Sequence, residues 1–440
     1  MNILNARVFS PLALVLVLIG GCSSREDPDG QPEIFSRAPQ NTCSQRSSGQ
    51  EADSFISRDS AGITIAENWV PPFPGSIIRP SLTTTVAPDA SDAAELSGRI
   101  VSTTRLANGG IVVADSLTSS LALFDSAGKF VQLLGRRGEG PGEYRGIRGV
   151  FHVTADTLAV VDLDYGRRMT RILANGRVVD ARILPFQPLS SNERTNPYLL
   201  GHMRFVVGLM SGGSMLTYFR PQFSMLPPGK GNTKYYFDSL VVQRFEIENG
   251  RATGLAKLPN WVLFAHENEK GDVWMYPAPF SSRGRLVAGG AGFYYGWGER
   301  YEVTEYGTDG KVLKIIRVCL GRIAIDSQAM SRWRSSLRAK AKPQALASTR
   351  EALEKVRVPT TGPAFVDLLV GRDGWLWIGE FHFDDDPQRW RIVSPTGRVV
   401  GFAETPPGVV LVELGATHVL GIRTDSDDLQ TVVAYSWLQP

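Results

Sequence analysis

The chain has 440 residues, enough for two or three average domains or one large all-β domain. A hydrophobic content of 42% with 21% charged residues supports a sizeable core and excludes a wholly disordered chain. With 47 Lys plus Arg against 44 Asp plus Glu the net charge is only +3, which leaves no basic footprint for a nucleic-acid partner. Three cysteines exclude a disulfide-dense scaffold, and 45 Gly with 27 Pro point to many turns rather than long helices.

Residues 1–21 place one charged side chain, Arg7, ahead of an apolar run from Leu12 to Ile19. The run is shorter than the ~20 apolar residues a stable membrane span needs, and it fits the apolar region of a secretory signal. It ends in Ile19-Gly20-Gly21-Cys22, which resembles the lipobox of bacterial lipoproteins. The resemblance implies cleavage before Cys22 and lipid attachment to its thiol, hence a membrane partner through the N-terminal lipid. Ser23 after the cysteine implies the outer membrane in a Gram-negative host. Residues 22–53 are rich in Ser, Pro and Gly and read as a disordered tether, which as a random coil would span roughly 30 Å. Cys43 in the tether and Cys319 near the end of an apparent strand could form a bridge in an oxidising compartment.

One pattern recurs through the rest of the chain: an apolar strand, a short polar link, Gly, a basic residue and a second apolar strand. Its glycines are Gly128, Gly176, Gly250, Gly310 and Gly397, each followed by Lys or Arg. Glycine there supplies the positive φ of a hairpin turn. Ahead of each turn lies a further strand pair, at 99–115, 149–162, 201–223, 262–276, 365–379 and 409–422, with alternation and β-branched content that argue strands. This makes six units of four antiparallel strands. The sixth lacks a fourth strand after 431–438. Asp59-Ser60-Ala61-Gly62 repeats the Asp125-Ser126-Ala127-Gly128 turn, so residues 62–68 are expected to complete the last unit and close a ring.

The repeat, together with the segment GRRGEGPGEYRGIRGV at 135–150, resembles bacterial six-bladed β-propeller lipoproteins of the NHL-like and TolB-like kind. The expected fold is therefore all-β: a six-bladed β-propeller over 54–440, its N-terminal strand closing the last blade. A short helical insert is expected at 324–357, between blades four and five. There Asp326 can cap a first helix and Pro343 suits the first turn of a second. From 326 to 342 five basic residues face one acid, and this hairpin reads as a cover or docking surface.

In a propeller the loop between second and third strands shares a face with the connections between blades. That face is expected to carry 135–147, 162–168, a Gly- and aromatic-rich insert at 277–299, the helical insert, 380–389 and 423–430. Candidate ligand-binding residues on it are Arg136, Arg137, Tyr294, Tyr295, Trp297, Glu380 and His382. The aromatic side chains could stack on a sugar or peptide. Asp384, Asp385 and Asp386 offer hard oxygen ligands to Ca²⁺, with Asp425, Asp427 and Asp428 on the same face, although calcium-loop spacing is missing.

The segment Gly138–Glu143 is glycine-rich, but its two glutamates would repel phosphate and it reads as structural. His152, His202 and His266 fall near inner strands, and NHL-like lyases hold zinc with channel histidines. Here the three occupy different registers and need not converge. His382 and His418 complete the histidines. Trp274, Trp375, Trp377 and Trp390 fall at repeat-equivalent strand positions and read as inter-blade core. No motif calls for a cofactor. The expected function is recognition of a protein, peptide or glycan on the loop-rich face of an exported, lipid-anchored propeller facing the periplasm or cell surface. The alternative is a metal-assisted hydrolase or lyase with a channel site.

Overall fold

The computed structural model describes residues 54–69, 80–87, 96–162, 168–184, 205–220, 228–271, 273–340, 354–383 and 386–437. The signal segment, Cys22, the tether, His202, Asp384 and Asp385 lie outside the described residues, as does the second helix expected near Pro343. Among the described residues no helix is long and apolar enough to cross a membrane.

Three strands precede the first blade: β1 (Ser54–Ser60), β2 (Ile63–Trp69) and β3 (Ser81–Val86). Blade one is β4 (Ile100–Arg105), β5 (Ile111–Asp115), β6 (Leu121–Phe124) and β7 (Phe130–Arg137), with a two-residue β8 (Glu143–Tyr144) on its edge. Blade two is β9 (Ile147–His152), β10 (Thr157–Asp162), β11 (Arg168–Leu173) and β12 (Val178–Ile183). Blade three is β13 (Phe205–Leu209), β14 (Met215–Phe219), β15 (Thr233–Phe245), β16 (Ala252–Glu267) and β17 (Val273–Pro277). Blade four is β18 (Gly284–Gly289), β19 (Gly292–Trp297), β20 (Glu302–Gly307) and β21 (Val312–Val318), followed by helix α1 (Ser327–Lys340). Blade five is β22 (Phe365–Val370), β23 (Leu376–Glu380), β24 (Gln388–Val393) and β25 (Val399–Thr405). Blade six is β26 (Val409–Leu414), β27 (His418–Thr424) and β28 (Gln430–Ser436), completed by β3.

The first strand of each blade touches the first strand of the next: β4 with β9, β9 with β13, β13 with β18, β18 with β22, β22 with β26, and β26 with β4. These six strands form the inner ring of a six-bladed propeller. Six hydrophobic clusters fill the six gaps between blades. The reason is visible in β5: Ile111 and Val113 face blade six, while Val112 and Ala114 face blade two. A strand buried on both faces reads as an unbroken apolar run. Trp375, Trp377 and Trp390 join Trp437 in the core between blades five and six.

The repeated turn glycines have φ between 70° and 91°. They also dock. A Cβ on Gly128 would collide with the carbonyl oxygen of Thr85 in β3, and one on Gly310 would lie 2.9 Å from the Leu255 carbonyl oxygen of blade three. A Cβ on Gly397 would lie 2.7 Å from Ala66 Cβ in β2. The turn of each of these blades thus rests on an outer strand of the blade before it.

Three expectations are corrected. The ring closes through the N-terminus, but the closing strand is β3, antiparallel to β28 with Val432 opposite Val86 and Ser436 opposite Ser81. Residues 63–69 lie instead on the outer edge of blade four, parallel to β21 and antiparallel to β1. The buried Asn68 holds them there: its Nδ2 donates to Gly397 O (2.9 Å) and Arg317 O (3.2 Å), and its Oδ1 accepts from Val399 N–H (2.8 Å). The match between the two Asp-Ser-Ala-Gly turns reflects shared hairpin chemistry and not a shared place in the ring. Second, 262–276 belongs to blade three, where β15 and β16 pair from Phe245–Ala252 out to Thr233–His266. Third, the insert 277–299 is no loop: β18 and β19 within it are the inner strands of blade four.

Gly128→Ala is expected to cost about 2–4 kcal/mol, since it adds a backbone collision at the ring closure to the positive-φ strain. Gly62→Ala, with equal φ strain but open space around its Cβ, is expected to cost about 1 kcal/mol. Urea midpoints of the two variants test this; equal losses would refute the docking role. Asn68→Ala leaves the Val399 N–H without its partner, and a loss of about 2–4 kcal/mol is expected in the same assay.

Candidate functional site

The upper face carries the connections between blades and the loops between second and third strands. Over blades three to five it is built up by the outer ends of β15 and β16 and by α1. Asp326 caps α1 by accepting the Ala329 N–H at 2.7 Å. Trp333 of α1 packs against Tyr235, Val262, Ala278 and Val356. It also meets Phe280, whose ring lies 6.0 Å from Trp333, 6.0 Å from Phe381 and 6.3 Å from Phe383. Arg332 lies over the Phe383 ring at 5.4 Å. Phe280 holds a left-handed backbone (φ 51°), a conformation a bulky side chain adopts only when its surroundings fix it.

Beside this aromatic rim, Trp261 carries two guanidinium groups over its ring, Arg283 at 5.0 Å and Arg220 at 5.6 Å. Arg220 is neutralised by Asp238 at 2.7 Å, and Asp238 also accepts from Asn260. Arg283 has no carboxylate partner among the described residues. It is solvent-exposed, yet the protein around it, and then the charge of Arg285, hold its pKa below the ordinary arginine value. Arg285 donates to Val366 O and stands 3.8 Å from Asp367. The Asp367 side chain is 36% exposed. Even so, burial pushes its carboxyl pKa up, against the opposing pull of Arg285, the Leu368 N–H and His382. Arg285 and Asp367 lie near the first residues of the inner strands β18 and β22, which places them at the upper mouth of the central channel.

Of the residues singled out in the sequence, His382 is brought to this mouth, its Nδ1 3.4 Å from Glu380 O. Glu380 is close by but engaged: it binds the fully buried Arg391, accepts from Tyr301 Oη at 3.3 Å, and stands 4.0 Å from Arg389. Tyr294 and Tyr295 are buried in the cores on either side of blade four, and Trp297 packs against the core between blades three and four. Their place on a strand follows from the corrected reading of 277–299. Arg136 and Arg137 are exposed on blade one, across the ring from blade four, and Arg136 pairs with Glu143 at 3.2 Å. Glu143 also accepts the amides of Glu139 and Gly140, so the glycine-rich loop binds its own carboxylate where an anion would sit. Those contacts, Gly140 first and then Arg136, hold the Glu143 pKa below the usual carboxylate value.

Asp386 is exposed and its N–H donates to Phe383 O. Asp425 accepts the amides of Asp427 and Leu429 in its own turn. His152 bonds the Arg105 carbonyl, His266 the Asn232 carbonyl and His418 the Glu413 carboxylate. Among the described residues no group of three His, Cys, Asp or Glu side chains is placed to hold a metal ion.

Sequence reasoning missed Arg283, Arg285 and Asp367. The available signal was a charge interrupting an apolar inner strand, as in Phe365-Val366-Asp367-Leu368. The raised Asp367 pKa means that its ionised form costs stability. The neutral form is favoured on folding below the ordinary carboxylate range, and that advantage is lost as pH rises through the folded value. Asp367→Asn should therefore melt at or above the wild-type temperature at pH 7, with the difference vanishing near pH 4. Thermal melts across that range test this, and a variant less stable at pH 7 would refute it.

The profile of the family DUF5128, a 6-bladed beta-propeller, matches residues 94–170. No curated protein matches the chain in sequence. Among solved structures, a Bacteroides fragilis protein described as exported is similar over 83% of this chain and 100% of its own, at 10% identity and a TM-score of 0.41. A DUF4221 family member from Bacteroides vulgatus aligns over 88% and 99%, at 7% identity and a TM-score of 0.40. Virginiamycin B lyase from Staphylococcus aureus aligns over 80% and 98%, at 10% identity and a TM-score of 0.34.

Proposed function

We propose that the chain is an exported, lipid-anchored propeller of the NHL-like or TolB-like kind that recognises a protein, peptide or glycan at its upper mouth over blades three to five. The observation that carries this reading is Arg283: an exposed guanidinium stacked on Trp261, without a carboxylate partner among the described residues, beside the rim of Phe280, Trp333, Phe381 and Phe383. Aromatic faces with a cation between them suit a ligand that offers both a flat or apolar surface and a negative or carbonyl oxygen.

The export and anchoring part rests on the apolar signal, the Ile-Gly-Gly-Cys lipobox and the tether. It is supported by Cys319, which is disulfide-bonded, a state suited to an oxidising compartment. Cys319 sits at the upper end of blade four, where its N–H donates to Asn68 O.

Peptide and glycan arrays probed with the mature protein test the recognition reading. Arg283→Ala combined with Phe383→Ala is expected to weaken captured ligands at least tenfold without changing the melting temperature by more than a few degrees. Undiminished capture by the double variant would refute the assignment of this face. Cys22→Ser is expected to release the protein from the membrane fraction.

A further inference from the structure

The inner strands run in one direction from the upper face, so residues at equal steps along them share a tier around the axis. On β26, Val409, Leu411 and Leu414 pack into the core between blades five and six. Val410, on the opposite face of the strand, is 56% exposed, and Val412, the extra residue of a bulge between Leu411 and Glu413, is 36% exposed. On an innermost strand the space open to them is the channel. Apolar side chains left in water inside a concavity are the common wall of a small-molecule site.

The other side of the same tier is cationic. Arg285 is the second residue of β18 and stands 3.8 Å from Asp367 of β22. Arg148 is exposed and is the second residue of β9, where the strand bulges: Ile147 pairs with Asp162 and Gly149 with Val161, which leaves Arg148 as the extra residue. Such a bulge re-aims the side chain it carries. Two guanidinium groups thus belong to this arc, with Arg283 above it at the mouth.

We infer that the upper channel binds an amphipathic carboxylate, its apolar body against Val410 and Val412 and its carboxylate toward Arg285 and Arg148. The inference rests on the upper mouth being the binding face and names the chemistry that enters it. Two sources share that chemistry: a medium-chain fatty acid, and a peptide whose C-terminal residue is apolar. A planar guanidinium suits a carboxylate through paired hydrogen bonds, and the alcohol or amide of the same body forfeits that match.

Calorimetric titration of the mature protein tests the assignment with decanoate, 1-decanol and acetate in one arm. A second arm uses a pentapeptide ending in Val as the free acid and as the amide. Saturable binding of decanoate, of the peptide acid or of both is expected, with the acetate, alcohol and amide controls at least tenfold weaker. The acid that binds identifies the source. Arg285→Gln should weaken the binding acid at least tenfold, and Val412→Ser should weaken it severalfold while leaving acetate unchanged. The assignment falls if neither acid binds, if acid and alcohol bind alike, or if a folded Arg285→Gln variant retains full affinity. Array capture sensitive to Arg283 alongside such a failure would leave the rim reading standing and remove the channel ligand alone.

Discussion

A ring of sheets closes only if a strand from one end of the chain pairs with a sheet built from the other end. Here that contact is β3 against β28, with Thr84 Oγ1 donating to Ser126 O and tying the closing strand to blade one as well. Every inter-blade core presupposes it, because each sheet is buried on both faces only while both neighbours are in place. The absent Cβ of Gly128 is part of the same device: the blade-one turn can rest on Thr85 only without a side chain. A second tie comes from β2, whose Asn68 reaches the turn of blade five. The N-terminal strands therefore clamp the ring at two places, between blades six and one and between blades four and five.

The number of blades is legible in the sequence because turn chemistry and inter-blade packing demand the same residue at the same place. Gly128, Gly176, Gly250, Gly310 and Gly397 all lie in positive-φ turns. Blade four misleads for the converse reason. Its inner strands contain Gly284, Gly289, Gly292 and Gly296, a composition that reads as loop. Those glycines answer to neighbours and not to flexibility: a Cβ on Gly296 would lie 2.5 Å from the Phe365 ring, and one on Gly289 2.6 Å from Val370. Strand propensity measured along the chain does not register a side chain arriving from the next blade. The closing strand is hidden because Asp-Ser-Ala-Gly encodes a turn, while the sheet that receives the hairpin is chosen by buried partners such as Asn68 and Glu67, whose contacts are remote in sequence.

The site is less legible than the fold. His382 can be placed on the right face because it sits in a blade-five loop. Glu380 looks equally available, yet it is the last residue of β23 and serves the buried Arg391. Asp115 and Asp162 end the second strands of blades one and two in the same way. Asp115 accepts backbone N–H groups of Ser97, Arg99, Leu117 and Thr118, and Asp162 those of Arg145 and Gly146. The acid at that position fastens the approach to each blade. Asp367 and Arg285 are acid and base of another kind, on inner strands that need no fastening, and only the ring geometry brings them together.

The hydrogen bond from Thr83 Oγ1 to Ala434 O spans 351 positions of sequence. A ribosome delivers β3 long before β28, so the early strand must wait, edge open, until nearly the whole chain has emerged. Contacts so remote carry a large loop-closure entropy and form late. Folding is thus gated by completion of synthesis: a truncated product lacking the final strands keeps a sticky, unsatisfied margin that quality-control proteases and chaperones can recognise.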